Sequence, residues 1–304
     1  MPDYKHKLPN ETKKTIMNKF IYIILIVGLF AISTSPVIAR LLPLVPATVI
    51  AFWRMASASS MLWTYSYIKP QPPIKKNNIK LIILAGFLMA MHFIFWFGAL
   101  KLTSIASTTI LGIVAPAFTL LIERFYYQKK LKRPTIVGLL IIFAGCVIVQ
   151  GNEINSFNGA GLGNIMAIIS AIFLGCLFLL GSIIRKTTPV ISYTRMLFSV
   201  SAGVLFIVSI VLHFPLLGYS NMDYFWLLML GLIPTLIGHT AFSYSVKFIS
   251  PSVIAAIPLG EPIIASALAM ILFNEIITYN VILGGVFIVV GLILLIKNNM
   301  GNRL

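Results

Sequence analysis

The strongest constraint on the fold is a series of long apolar segments along the 304-residue chain. They cover residues 19–39, 45–67, 79–99, 103–125, 134–150, 159–181, 191–213, 224–245, 252–273 and 278–296. An α-helix needs about 20 apolar residues to cross the hydrocarbon core of a bilayer, and backbone exposed to lipid must satisfy its own hydrogen bonds. The segments lack the alternating polarity of membrane barrel strands. We therefore predict an all-α integral membrane protein with ten transmembrane helices.

The composition argues against a soluble protein. The chain is 59% hydrophobic and only 10% charged, whereas about 25% of the residues in an ordinary soluble domain are charged. These few charges cannot cover a soluble surface, which disfavours a soluble enzyme and a soluble nucleic-acid-binding protein. Cys146 and Cys176 lie inside apolar segments, so they indicate neither a disulfide framework nor a CxxC metal site.

The positive charges are distributed unevenly between the two ends of the predicted helices. If the N-terminus is cytoplasmic, 19 of the 23 lysines and arginines fall in cytoplasmic tails and loops. Only Arg40 and Lys101 fall on the opposite side, and Arg54 and Arg195 fall inside helices. This bias follows the positive-inside rule and predicts that both termini are cytoplasmic. It also assigns the net charge of +16 to membrane topology, so we expect no nucleic-acid partner.

The two halves of the chain repeat each other. A shift of 146 residues aligns them without a gap and pairs identical residues, namely Lys101 with Lys247, Pro116 with Pro262, Gly138 with Gly284 and Gly145 with Gly291. We predict a polar tail at 1–18, a first five-helix repeat at 19–150, a second at 159–296 and a tail at 297–304. Five is an odd number, so the second repeat enters the membrane from the opposite side. Inverted repeats are typical of transporters, whose binding site lies near the midplane between the repeats.

The chain resembles the drug/metabolite transporter superfamily in its ten-helix EamA-type branch. The motifs that carry the resemblance are Phe52–Met55, Ala99–Ser107, Ala115–Pro116, Gly238–Tyr244, Lys247–Val253, Gly260–Pro262 and Phe273–Glu275. The resemblance implies a 5+5 inverted-repeat bundle with a central cavity, in the bacterial cytoplasmic membrane. It also implies export or uptake of a small metabolite, often an amino acid or a related compound.

Two charged residues lie deep in the predicted helices, where an ionisable side chain is expensive and usually functional. Glu261 sits between Pro258 and Pro262, which predict a broken helix. Its carboxyl group can carry a coupling proton, bind a substrate ammonium group, or serve only as a hydrogen-bonded partner of the helix break. Arg54 lies within the second helix and can bind a substrate carboxylate or pair with Glu261.

Two histidines occupy nearly equivalent places in the two halves. Trp96 follows His92 by one turn, and Tyr244 follows His239 by five residues, so we predict that each pair faces the cavity. The histidines can relay protons, or they can be neutral groups that hydrogen-bond between helices. Two isolated histidines lack the further ligands of a metal site, so we expect no metal and no cofactor.

The leading functional hypothesis is a secondary transporter in which one repeat rocks against the other. We expect an exporter of small metabolites such as amino acids, driven either by proton coupling or by facilitated exchange, with no catalytic residues, as a monomer or a weak homodimer in the lipid bilayer. The chain has no Walker A motif, which disfavours ATP-driven pumping by this chain alone. The alternative hypothesis is an intramembrane enzyme that acts on a lipid or another membrane substrate.

Overall fold

The computed structural model describes residues 10–103, 108, 111–130, 132–150, 161–274 and 276–299. These ranges contain helices and no strands, which confirms the all-helical prediction. The helices are α1 (Asn10–Arg40), α2 (Ala47–Ile68), α3 (Lys76–Leu102), α4 (Val114–Phe125), α5 (Arg133–Gln150), α6 (Gly161–Ile184), α7 (Val190–Val211), α8 (Asn221–Ser245), α9 (Pro251–Phe273) and α10 (Tyr279–Asn299).

Seven helices in the described ranges are long and apolar enough to cross a bilayer. They are α3 and α6 to α10 over their full or nearly full length, together with the part of α1 at Lys19–Arg40. The apolar part of α5, Arg133–Val149, is shorter, and α4 has only 12 residues. The protein is therefore a multi-pass helical membrane protein, whereas ten crossings and cytoplasmic termini stay predictions.

Helix α1 begins at Asn10, so the second half of the polar segment predicted at residues 1–18 is helical. Residues 10–18 contain no proline or glycine, and they extend a helix that is already nucleated by its apolar part. Residues 1–9 lie outside the described residues. The predicted tail at 297–304 begins inside α10, and its part at 300–304 is also outside them.

The packing of the helices follows the symmetry expected from two inverted repeats. Helix α1 packs on α8, and the equivalent pair, α6 and α3, is also in contact. Likewise α2 packs on α8, and α7 packs on α3. Three helices of the first repeat pack directly on their equivalents in the second, in the pairs α2 with α7, α4 with α9 and α5 with α10. This pattern is what a two-fold axis between the halves produces.

Glycines let α5 and α10 approach most closely. A Cβ atom on Gly145 would lie 2.7 Å from the carbonyl oxygen of Gly284, and one on Gly138 would lie 3.0 Å from that of Gly291. The repeat makes Gly138 equivalent to Gly284 and Gly145 equivalent to Gly291. Gly145 therefore contacts the equivalent of Gly138, and Gly138 contacts the equivalent of Gly145. The two helices run antiparallel at this contact, so these equivalent elements have opposite orientations, as an inverted repeat requires.

Candidate functional site

A central cavity of about 80 Å³ lies between α1, α2, α3, α6, α8 and α9. It contains five of the six residues that the sequence analysis singled out, from both halves of the chain: Arg54, His92, Trp96, His239 and Glu261. Most of the remaining lining is apolar or aromatic. Convergent polar groups in an otherwise apolar pocket are typical of small-molecule sites.

Arg54 is the cation of this cavity, and its side chain is almost fully buried, at 1% exposure. Its Nε atom donates to Thr235 Oγ1 at 2.6 Å, and its Nη1 atom donates to Ser35 Oγ at 2.8 Å. The guanidinium carbon lies 4.3 Å from the centre of the Phe93 ring. Hydroxyl oxygens and an aromatic face thus compensate a charge that would be very costly to bury alone.

Glu261 lines the same cavity at a break in α9. The α-helical part Pro251–Ala256 changes to a 3₁₀ turn at Ile257–Gly260, and the α-helix resumes at Glu261. Among the described residues, no side chain donates a hydrogen bond to the Glu261 carboxylate, and its main electrostatic partner is Arg54. The two residues attract each other without the direct ion pair considered from the sequence. Both side chains line the same cavity.

His92 is held at the wall of the cavity by α6. Its Nδ1 atom lies 3.1 Å from the carbonyl oxygen of Ser170, which can only accept a hydrogen bond. The Ser170 hydroxyl donates in turn to the His92 carbonyl oxygen at 2.9 Å. The Ser170 hydroxyl oxygen also lies 2.8 Å from Nδ1, so both polar groups of Ser170 contact this ring nitrogen. The structure thus contains the interhelical hydrogen bond considered for this histidine, at a place that also lines the cavity.

His239, which lines the cavity, and Thr235, which accepts from Arg54, lie in an unusual part of α8. Residues Gly231–His239 form a π-helix that contains Pro234, and such segments are often found at functional sites. The Thr235 hydroxyl donates to the Leu230 carbonyl oxygen at 2.9 Å, five residues back, while accepting from Arg54. The π-helix therefore orients the oxygen that holds the Arg54 guanidinium.

The prediction that Tyr244 faces the cavity is wrong. Tyr244 is not one of the described residues that line the cavity. Its ring packs instead on Phe20 and Phe248. Five residues along an α-helix correspond to a rotation of about 140° from the starting side chain, whereas four correspond to about 40°. Trp96 follows His92 by four residues and therefore lies on the same side of its helix, facing the cavity. Tyr244 follows His239 by five residues and therefore points away from it.

Arg195 lies outside the central cavity, although the repeat aligns it with Arg54 at a shift of 141. Its guanidinium carbon lies 4.2 Å from the centre of the Trp63 ring. Trp63 is about half exposed on the bundle surface and donates to Ser199. The two arginines thus have different surroundings, and Arg195 offers a natural control for Arg54.

A larger cavity of about 560 Å³ lies at the end of the bundle where α1 and α3 end, here called the Lys101 end. Arg40 and Lys101 line it, and Lys101 Nζ donates to the Val45 carbonyl oxygen at 2.7 Å. Phe97 also lines it and lies 5.9 Å from the guanidinium carbon of Arg54. The two cavities are therefore neighbours, with the Phe97 ring between Arg54 and the larger one.

Comparison with known proteins identifies the class of this fold and site. Residues 19–150 and 161–297 each match the EamA-like transporter family, and the chain belongs to this family. A solved crystal structure of a protein with 15% sequence identity has the same fold, with a TM-score of 0.75 over 91% of this chain and 96% of that one.

Two relatives come from Bacillus subtilis (strain 168). The protein named uncharacterized transporter YxxF is 24% identical over 197 residues, which are 64% of this chain and 62% of YxxF. The match thus spans less than two thirds of the length of that relative. Uncharacterized transporter YwfM is 24% identical over 262 residues, which are 82% of this chain and 84% of YwfM. These likenesses support a transporter-type function and leave its substrate to be inferred from the cavity.

Proposed function

We propose that this protein is a secondary transporter of small zwitterionic metabolites, namely amino acids or related compounds. The observation that carries the proposal is the pair of opposite charges, Arg54 and Glu261, on one buried cavity. Arg54 binds the substrate carboxylate, and Glu261 binds the ammonium group. Trp96 and Phe93 contact the apolar side chain.

The two ends of the bundle differ in a way that supports alternating access. One face of α9 lines the larger cavity at the Lys101 end with Pro262, Ala265 and Ala269. The equivalent face of α4 is buried at the opposite end, which we call the Lys129 end, in Pro116, Thr119 and Glu123. Pro262, Ala265 and Ala269 are themselves buried, with Ala265 6% and Ala269 9% exposed, so the α9 face is distinguished by the cavity that it lines. Exchange of these two arrangements exposes the central site to each side in turn.

The proposal includes ten crossings of the bacterial cytoplasmic membrane, with both termini and the Lys129 end on the cytoplasmic side. The charge distribution supports this orientation. We propose export as the direction and a proton as the coupling ion, with Glu261 as the proton carrier. The functional unit is the monomer, since the central cavity is built within one chain.

The test is the flux of amino acids into and out of liposomes that contain the purified protein, measured with a labelled pool and with or without a pH gradient. We expect Glu261→Gln to lower gradient-driven flux at least about tenfold, because the amide has neither the charge nor the titratable proton of the carboxyl group. Exchange without a gradient should be weakened by poorer binding of the ammonium group.

Asp223→Asn is the matched control, since it makes the same chemical change outside the cavity, at the capping box of α8. Its flux should stay within about twofold of the parent protein, as for most changes away from a site. Equal gradient-driven flux in the parent and Glu261→Gln would contradict the role of Glu261. Absence of flux for every pooled compound in the parent would contradict the proposed substrate class.

A further inference from the structure

A second buried carboxylate lies away from the central cavity, in α4 at the Lys129 end. Glu123 is only 2% exposed. In the sequence, Glu123 lies close to the end of its apolar segment and beside Arg124, so it stands out less than Glu261. In the structure this position is interior, so its carboxylate requires partners that compensate its charge.

The partners of Glu123 come from two different parts of the chain. Lys129 Nζ, in the loop after α4, forms an ion pair with Oε1. The hydroxyl group of Ser252, in the first turn of α9, donates to Oε2. Ser252 is 129 residues away in the second repeat, so one carboxylate joins the two repeats at this end. Both hydrogen bonds involve a charged group and belong to the stronger class.

The equivalent position in the other repeat carries no such group. A shift of 146 residues places Glu123 on Ala269, which lines the open cavity at the Lys101 end. It places Thr119, which is fully buried, on Ala265 in the same open cavity. The carboxylate is therefore present on the face of α4, and alanine occupies the equivalent place on the face of α9, which lines the larger cavity although Ala265 and Ala269 are only 6% and 9% exposed.

We propose that Glu123, Lys129 and Ser252 form a latch that holds the Lys129 end closed. Opening of that end separates α4 from the start of α9, which breaks the contact of Glu123 with Ser252. Because the Lys101 end has alanine at the equivalent place, the latch biases the resting protein towards the state that is open at the Lys101 end. Glu123 is thus a gating residue, and this role rests on the proposed transport function.

Two cysteine variants at equivalent positions report the two gates. In a background with Cys146→Ala and Cys176→Ala, Thr119→Cys reports the face of α4 and Ala265→Cys reports the face of α9. The reagent is 2-sulfonatoethyl methanethiosulfonate, applied to protein in lipid nanodiscs, where it reaches both ends. The parent latch should protect Thr119→Cys and leave Ala265→Cys reactive.

Loss of the latch should raise the labelling rate at one of the two cysteines and lower it at the other. We expect Lys129→Gln and Glu123→Gln to raise the labelling rate of Thr119→Cys about tenfold, the effect of losing one charged hydrogen bond. The labelling rate of Ala265→Cys should fall in the same variants. Lys129 is partly exposed, so its replacement tests the latch without disturbing the interior. The control is Lys130→Gln, which removes a neighbouring exposed charge and should change neither rate.

Three results would overturn the latch: unchanged labelling of Thr119→Cys in both variants, a rise at Thr119→Cys without a fall at Ala265→Cys, or the same rise in Lys130→Gln. The second of these would mean that Glu123 only packs α4 locally. Amino-acid exchange by the parent in liposomes is measured alongside. A parent without exchange contradicts the transport proposal, whereas unchanged labelling in an active parent contradicts the latch alone.

Discussion

Replacement of Arg54 by Gln is expected to lower amino-acid exchange at least about 100-fold, the effect of removing one partner from a buried charged contact. The side chain joins three helices, through Ser35 on α1, Thr235 on α8 and Phe93 on α3. Glutamine removes the positive charge that is proposed to bind the substrate carboxylate. It also leaves the two hydroxyl groups without their ionic partner. The measurement is counterflow of the labelled substrate in liposomes at several substrate concentrations.

Arg54→Lys separates charge from geometry in this prediction. A lysine keeps the positive charge but has no planar fork that reaches Ser35 and Thr235 together, so we expect an intermediate loss. Arg195→Gln is the matched control, because Arg195 contacts Trp63 and lies outside the cavity. Its exchange rate should stay within about twofold of the parent. Similar losses of exchange rate in Arg54→Gln and Arg195→Gln would contradict a binding role of the central cavity.

The second large effect is expected at the contact of α5 with α10. Gly145→Leu should lower the apparent melting temperature of the purified protein by about 10 °C or more, since overpacking of a tight contact costs several kcal/mol. A Cβ atom at this position would lie 2.7 Å from the Gly284 carbonyl oxygen and 2.8 Å from a side-chain carbon of Ile288. The backbone oxygen cannot move aside, so the helices must separate.

Gly203→Leu makes the same change at an exposed position of α7, where a Cβ atom has no neighbour within 4 Å. This control should leave the melting temperature unchanged or raise it slightly, because glycine is a poor helix former. Thermal unfolding is followed by loss of the monodisperse peak after heating. A melting temperature of Gly145→Leu equal to that of Gly203→Leu would contradict the tight contact.

The helices were largely predictable from the sequence, because hydrophobic length determines which segments can cross lipid. The internal details were less accessible. Pro258 and Pro262 correctly indicated a break in α9, which the structure shows as a 3₁₀ turn at Ile257–Gly260, directly before Glu261. The π-helix in α8 had a weaker signal, a single Pro234 within an apolar run. Hydrophobicity gives no signal for the start of α1 at Asn10, because most of residues 10–18 are polar.

The site residues that could be predicted from the sequence are the ionisable side chains that lie within apolar segments. Arg54, His92, His239 and Glu261 stood out as ionisable groups in apolar segments, and the structure brings them together. The groups that hold them in place did not stand out, because Thr235 and Ser170 have neutral hydroxyls, which are common in membrane helices. Glu123 had a signal that was overlooked, since it is the acidic residue of α4 and lies six residues before its partner Lys129.

The crossed glycine contacts have a mechanical consequence. Gly138 meets Gly291 and Gly145 meets Gly284, two turns apart, so α5 and α10 cannot slide past each other without a backbone collision. They form a closely packed helix pair with one helix from each repeat. A motion of intact repeats as separate bodies would have to shear this helix pair. If the proposed alternating access occurs, we expect each moving body to contain helices of both repeats, in contrast to the hypothesis that one intact repeat rocks against the other.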